Sequence, residues 1–170
     1  MLFIKSIHLL CSSEMEALQG LLSDYDAHMH HYVPSAAAKP DRDGLAIDLN
    51  KTCYRRPDAA LFLAVYHGVS VGCVGLKRRS ETVCELERLY VTPGYRRFGI
   101  GSALCQTLLE TAKGYGYHQV ILPASEEMKE VAALCRKLGF NQAATLRVRQ
   151  HPYCIHFSKA LSSLTADKSG

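Results

Sequence analysis

Hydrophobic and polar positions along this chain fall into short periodic segments that can be read one at a time. Leu2 to Leu10 is apolar with partial alternation and predicts an opening strand. Ser12 or Ser13 can cap the helix that follows, because Glu14 and Glu16 then fall in its first turn, where carboxylates suit the positive end of the dipole. Met15, Leu18, Leu21, Leu22 and Tyr25 give that helix an apolar face reaching about His31, and Pro34 ends it. Residues 34–58 are broken by turn formers and predict a long connection with a short helix around Leu45 to Lys51. Connections of this length in compact domains are often functional.

Two apolar runs, Ala60 to Tyr66 and Val69 to Lys77, join through the hairpin signal His67-Gly68, and a third strand, Thr82 to Val91, follows. A turn at Thr92-Pro93-Gly94 and a basic, glycine-punctuated loop then lead into a helix, Ser102 to Lys113, with Leu104, Leu108 and Ala112 on one face; Gly114 and Gly116 close it. His118 to Leu122 reads as a short buried strand stopped by Pro123. Ser125 can cap the next helix, with Glu126 and Glu127 in its first turn. Met128, Val131, Ala132, Cys135 and Leu138 form its core face, and Gly139 ends it. Asn141 to Gln150 and Tyr153 to Ala160 are the final strands, and the polar residues 162–170 read as a disordered tail. Three consecutive antiparallel strands followed by loop, helix, strand and helix predict an α+β domain over residues 1–161, a three-layer arrangement of mixed, mostly antiparallel sheet flanked by helices. No repeat or internal boundary interrupts it.

Composition narrows the class. At 170 residues, 48% hydrophobic and 21% charged, the chain reads as one ordinary soluble domain. No apolar run reaches the roughly 18 residues of a membrane span, and the N-terminus lacks a signal-peptide layout, so a cytoplasmic protein with no membrane partner is expected. The net charge of +4 is mild, and no long basic stripe with interleaved aromatics argues for nucleic acid. The seven cysteines form no C-x-x-C pair; several lie inside apolar runs, Cys73, Cys84, Cys105, Cys135 and Cys154, and read as buried, reduced thiols. His28 and His31 would share a helix face, but no Cys or carboxylate at recognisable spacing completes a metal site, so they read as a solvated helix end and no metal is expected.

The chemistry concentrates between Cys84 and Ser102. A strand runs through a small-residue loop into a helix N-terminus, where free backbone N–H groups and the helix dipole favour an anion. Gly99 and Gly101 remove the Cβ atoms that would keep an anion off the backbone, and Arg96 and Arg97 add a clamp suited to phosphate oxygens. A P-loop would need Lys before Ser or Thr after the last glycine, where this chain has Ser102-Ala103. A dinucleotide fingerprint would need a third glycine where this chain has Leu104. Both fail. The pattern that fits is R-x-x-G-x-G after a strand reading E-L-x-R-L-Y-V, and here the chain resembles the GNAT superfamily of acyl-CoA-dependent N-acyltransferases. Ala133 to Phe140 resembles that family's second signature, A-L-Y-x-K-L-G-F, and the similarity covers roughly residues 60–160.

The resemblance implies an N-acetyltransferase using acetyl-CoA as cosubstrate, with a primary amine on a small molecule as acceptor, direct transfer in a ternary complex, and a homodimer as an open arrangement. A catalytically weak acyl-CoA sensor and a protein or peptide N-acetyltransferase stand as alternatives. It implies that the backbones of Leu89 and Val91, with Tyr90 between them, contact pantetheine next to a bulge in the strand. A Val91 N–H would polarise the thioester carbonyl, and Arg96, Arg97, Phe98, Gly99, Ile100, Gly101 and Ser102 would hold the pyrophosphate. Simple alternation puts Glu85, Glu87, Leu89 and Val91 on one face of the strand. Glu85 is the first candidate for general base and Glu87 the alternative, since a bulge changes which carboxylate faces the cleft. Cys135 stands where the signature most often has Tyr, and is either a core thiol, a weak acid for the departing thiolate, or a nucleophile. Part of the acceptor pocket is expected in residues 34–58.

Overall fold

A computed structural model describes residues 1–32, 54, 59–125, 127–143 and 154–162. Among them, β1 (Leu2–Ser6) and α1 (Ser12–Met29) precede the strands β2 (Ala60–Tyr66), β3 (Val69–Arg78) and β4 (Val83–Val91). Then come α2 (Ile100–Gly114), β5 (Gln119–Ser125), α3 (Lys129–Lys137), β6 (Asn141–Ala143) and β7 (Cys154–Ala160). The strands form one seven-stranded sheet in the order β1-β2-β3-β4-β5-β7-β6, and β4–β5 is its parallel pair. The predicted short helix at Leu45 to Lys51, most of the long connection, residues 144–150 of the first closing strand and the tail beyond residue 162 lie outside the described residues.

Helices cover both faces of the sheet, which is why β2 is apolar without interruption. Its Leu61, Leu63 and Val65 pack with Leu18, Leu21 and Leu22 of α1, whereas Phe62 and Ala64 pack with Leu104 and Leu108 of α2. The His67-Gly68 turn has both central residues at positive φ, 49° and 82°, the twist that a two-residue hairpin favours.

Several boundaries differ from the sequence reading. The first strand stops at Ser6, and Ile7–Leu9 form a 3-10 turn. Cys11, not a serine, occupies the N-cap of α1, and its N–H donates to Glu14 Oε2 at 3.1 Å. Lys5 Nζ on the same carboxylate, at 2.5 Å, holds Glu14 below the usual carboxylate range. Ser125 serves a turn ahead of α3, its carbonyl accepting from Met128 N–H at 3.0 Å, so the helix begins only at Lys129. Pro123 does not stop β5. The β4 ladder ends at Ile121, so that edge of β5 is unpaired at Pro123 and a missing N–H there breaks no bond.

Candidate active site

The site begins where β4 leaves β5. Their parallel pairing covers only Val83–Glu85 against Gln119–Ile121, and beyond it the two strands part. On the other side, β4 stays paired with β3 but gains a residue. Gly75 faces Glu87 and Cys73 faces Tyr90, so Arg88 and Leu89 together oppose Val74. This is a β-bulge, with Arg88 at φ 54°. It corrects the simple alternation. Glu85, Glu87 and Tyr90 lie toward α1, whereas Leu86, Leu89 and Val91 pack on the α2 side, because the extra residue reverses the phase.

Backbone direction follows from the same ladder. Thr92 N–H donates to Val71 O on β3 at 2.9 Å, and N–H groups alternate edges along a strand. Val91 therefore turns its peptide groups toward the edge that β5 has vacated, next to the bulge at Arg88 and Leu89. Arg96 confirms it from outside: its Nε–H donates to Val91 O at 2.9 Å. Tyr90 O points the other way, close enough to Gly72 that a Cβ there would lie 2.7 Å from it.

Past Val91 a 3-10 turn, Pro93–Tyr95, reverses the chain, and Arg97 and Gly99 take positive φ, 67° and 78°. Gly99 is the N-cap of α2, and the first helical bond runs from Ala103 N–H to Gly99 O at 3.0 Å. The N–H groups of Ile100, Gly101 and Ser102 thus have no partner within the helix, and the positive end of its dipole faces the opening. The helix starts two residues before the predicted Ser102, so these N–H groups belong to the helix end itself.

These pieces enclose a cavity of about 480 Å³. Leu89, Tyr90 and Val91 line it from β4, and Arg96, Arg97, Gly99, Ile100, Gly101 and Ser102 from the loop and helix start. Every residue proposed for the cofactor lines it except Phe98, which is 60% exposed and leans on Tyr66 outside, ring centroids 5.9 Å apart. Glu130, Val131, Leu134 and Lys137 close the cavity from α3, and Tyr25, His28 and Met29 from the end of α1. Sequence reasoning missed the α1 wall. His28 reads with His31 as a solvated helix end, whereas it is half-buried against the cavity; nothing local says that a helix end meets a strand some sixty positions later. His28 sits edge-on to Tyr90 and Tyr32, and burial, helped by the nearby Arg96 and His31 charges, lowers its pKa. Arg96 lies 3.6 Å from Glu130 and 5.9 Å from the Tyr90 ring centre, bridging strand, loop and α3.

The three candidate catalytic side chains do not line this cavity. Glu85 is 8% exposed at the last paired position before the strands part, ion-paired with Arg79. Glu87 accepts the Tyr54 hydroxyl proton on the α1 side. Cys135 is 2% exposed inside the core, because α3 turns Ala132 and Cys135 inward and Val131 and Leu134 toward the cavity. Burial pushes its thiol up to about 11, and Cys73, Cys84 and Cys105 to about 12. Among the described residues no group of three His, Cys, Asp or Glu side chains could hold a metal, and no helix is long and apolar enough to cross a membrane.

A seven-stranded, mostly antiparallel sheet with a parted parallel pair and a bulged strand leading into a basic helix-start loop defines an acyltransferase-type fold. Residues 22–140 match the model of the acetyltransferase (GNAT) family, well over half of the chain, and the chain belongs to that family. It is 31% identical to the uncharacterized N-acetyltransferase YjgM of Escherichia coli over 51% of this chain and 54% of that protein. It is 29% identical to the "Probable N-acetyltransferase camello" of Xenopus tropicalis over 65% of this chain and 50% of that protein. The match thus spans about half the length of each of these two relatives. The fold also matches the PaiA N-acetyltransferase of Thermoplasma acidophilum, solved in complex with coenzyme A, at a TM-score of 0.71 and 17% identity over 95% of this chain and 99% of that one.

Proposed function

We propose that this protein is an acyl-CoA-dependent N-acetyltransferase that moves an acetyl group from acetyl-CoA to the primary amine of a small molecule, by direct transfer in a ternary complex. The observation that carries this reading is the outward-facing backbone of Val91, continuous with the unpartnered N–H groups of Ile100, Gly101 and Ser102. A long arm ending in a pyrophosphate is the ligand such a surface suits. The diphosphate sits on the helix-start N–H groups with Arg97 beside it, and the pantetheine amides pair with β4 as a further strand would. The Val91 N–H, aimed into the opening, polarises the thioester carbonyl as the tetrahedral oxyanion forms. Membership of the acetyltransferase family supports the assignment, as does the fold match to the Thermoplasma N-acetyltransferase, which was solved in complex with coenzyme A.

Glu85 serves as general base. It stands at the apex of the gap between β4 and β5, and Arg79 keeps company with one of its oxygens. Glu87 is already engaged by Tyr54. In the transfer, Glu85 takes a proton from the acceptor amine directly or through water as the C–N bond forms. The C–S bond then breaks, and the electron pair leaves on the coenzyme sulfur. A thiolate whose conjugate acid sits near pKa ~8.5 is a good leaving group, so Cys135 in the core need contribute no proton.

The test is thiol release from acetyl-CoA against a panel of amines, with Glu85→Gln beside the wild type. Loss of about 10²–10⁴-fold in kcat with acetyl-CoA affinity retained is expected. Full turnover in Glu85→Gln would remove it as base. Tight cofactor binding without turnover on any amine would make the protein an acyl-CoA sensor instead.

A further inference from the structure

Arg88 combines two unfavourable features at one position of β4. It holds φ 54° without being glycine, and among the described residues its Nε–H is buried with no hydrogen-bond partner. Such features persist only where the surroundings impose them, and they gather at functional sites. Its guanidinium reaches two carboxylates. Nη1 lies 3.7 Å from Asp26 Oδ1 on α1, and Nε lies 3.9 Å from Glu87 Oε1 on its own strand. Both distances exceed hydrogen-bonding range, so the attraction is coulombic; Arg88 and Glu87 are each less than a fifth exposed, and Asp26 is 37% exposed, which weakens its pull by solvent screening. The Arg88 carbonyl accepts the Cys73 thiol proton at 3.4 Å, which ties the bulge to β3.

Asp26 is the residue between Tyr25 and the turn carrying His28 and Met29, the three side chains that wall the cavity from α1. The geometry points to Arg88 as a positioning residue: drawn to Asp26, it holds the α1 wall against the bulged segment of β4 whose Val91 peptide groups receive the cofactor. The arginine thus links the strand's irregularity to the opposite wall of the same cavity. A glycine would accept the backbone angle more readily but would lose the link. This inference rests on the acetyl-CoA reading.

The experiment measures acetyl-CoA affinity by calorimetry, steady-state kinetics and thermal unfolding for the wild type, Arg88→Gly, Asp26→Asn and the double variant. Arg88→Gly removes the left-handed strain but also leaves Glu87 and Asp26 without their cation, so unfolding serves to show that the variant is folded and affinity carries the test. Its affinity for acetyl-CoA is expected to fall about tenfold. Asp26→Asn should weaken binding in the same direction, and the double variant should add little to Arg88→Gly alone. An ion pair serving stability only would move unfolding and leave affinity unchanged. Wild-type affinity in the folded variants overturns this inference alone. If Arg88→Gly does not fold, unchanged affinity in Asp26→Asn overturns it. A wild type that fails to bind acetyl-CoA overturns the acetyltransferase reading and this inference with it.

Discussion

Gly72 shows how little tolerance single positions leave beside the bulged strand β4. A Cβ there would lie 2.7 Å from Tyr90 O and 3.3 Å from both Leu104 and Val91 side chains. The obstructing atom is backbone in the middle of a ladder, so it cannot step aside without moving the bulged segment. Gly72→Ala is therefore expected to destabilise the protein by about 1–3 kcal/mol in denaturant unfolding, the cost of overpacking a core position. A change within about 0.5 kcal/mol, the scatter of innocuous surface substitutions, would contradict the placement of β3 against β4. Nothing in the sequence marks Gly72 above the other glycines, since its constraint comes from a strand eighteen residues later. Gly99 stands out in the sequence by its place between two arginines and an apolar helix face, for the space its missing Cβ leaves; its left-handed N-cap role, at φ 78°, is not readable there, because the helix is expected to begin only at Ser102.

At the scale of elements, periodicity located every strand and helix among the described residues, and failed where a neighbour overruled the local signal. Pro123 reads as a stop and lies inside β5, because the strand that would have needed its N–H has departed. The alternation along β4 was legible up to Glu87 and reversed after it, because a bulge is a property of two strands and not of one. Helix α3 shows the same limit. Ala132 and Cys135 face the core as expected, but Val131 and Met128, expected on that same face, line the cavity with Leu134. Cys135→Ala should thus cost about 1 kcal/mol of stability, as for a small buried group, and leave kcat unchanged. A kcat loss of tenfold or more in folded Cys135→Ala would return the thiol to the chemistry.

For the whole molecule, the cavity is assembled from segments that sequence distance keeps apart: the end of α1, the end of β4, the start of α2 and one face of α3. The strand and loop were legible because they are contiguous and their chemistry is local, glycines and arginines ahead of a helix. The α1 and α3 walls were not, because only the winding of the sheet brings them together. The net charge of +4 is mild, so the proposed binding of a phosphorylated cofactor rests chiefly on this local arrangement. Calorimetric titration of acetyl-CoA into the purified wild type and into the Arg96→Ala/Arg97→Ala variant addresses that most directly. We predict micromolar binding to the wild type, abolished in a variant shown to be folded. Absence of binding to the folded wild type, or equal binding to both proteins, would contradict the assignment of the loop before α2 as the pyrophosphate site.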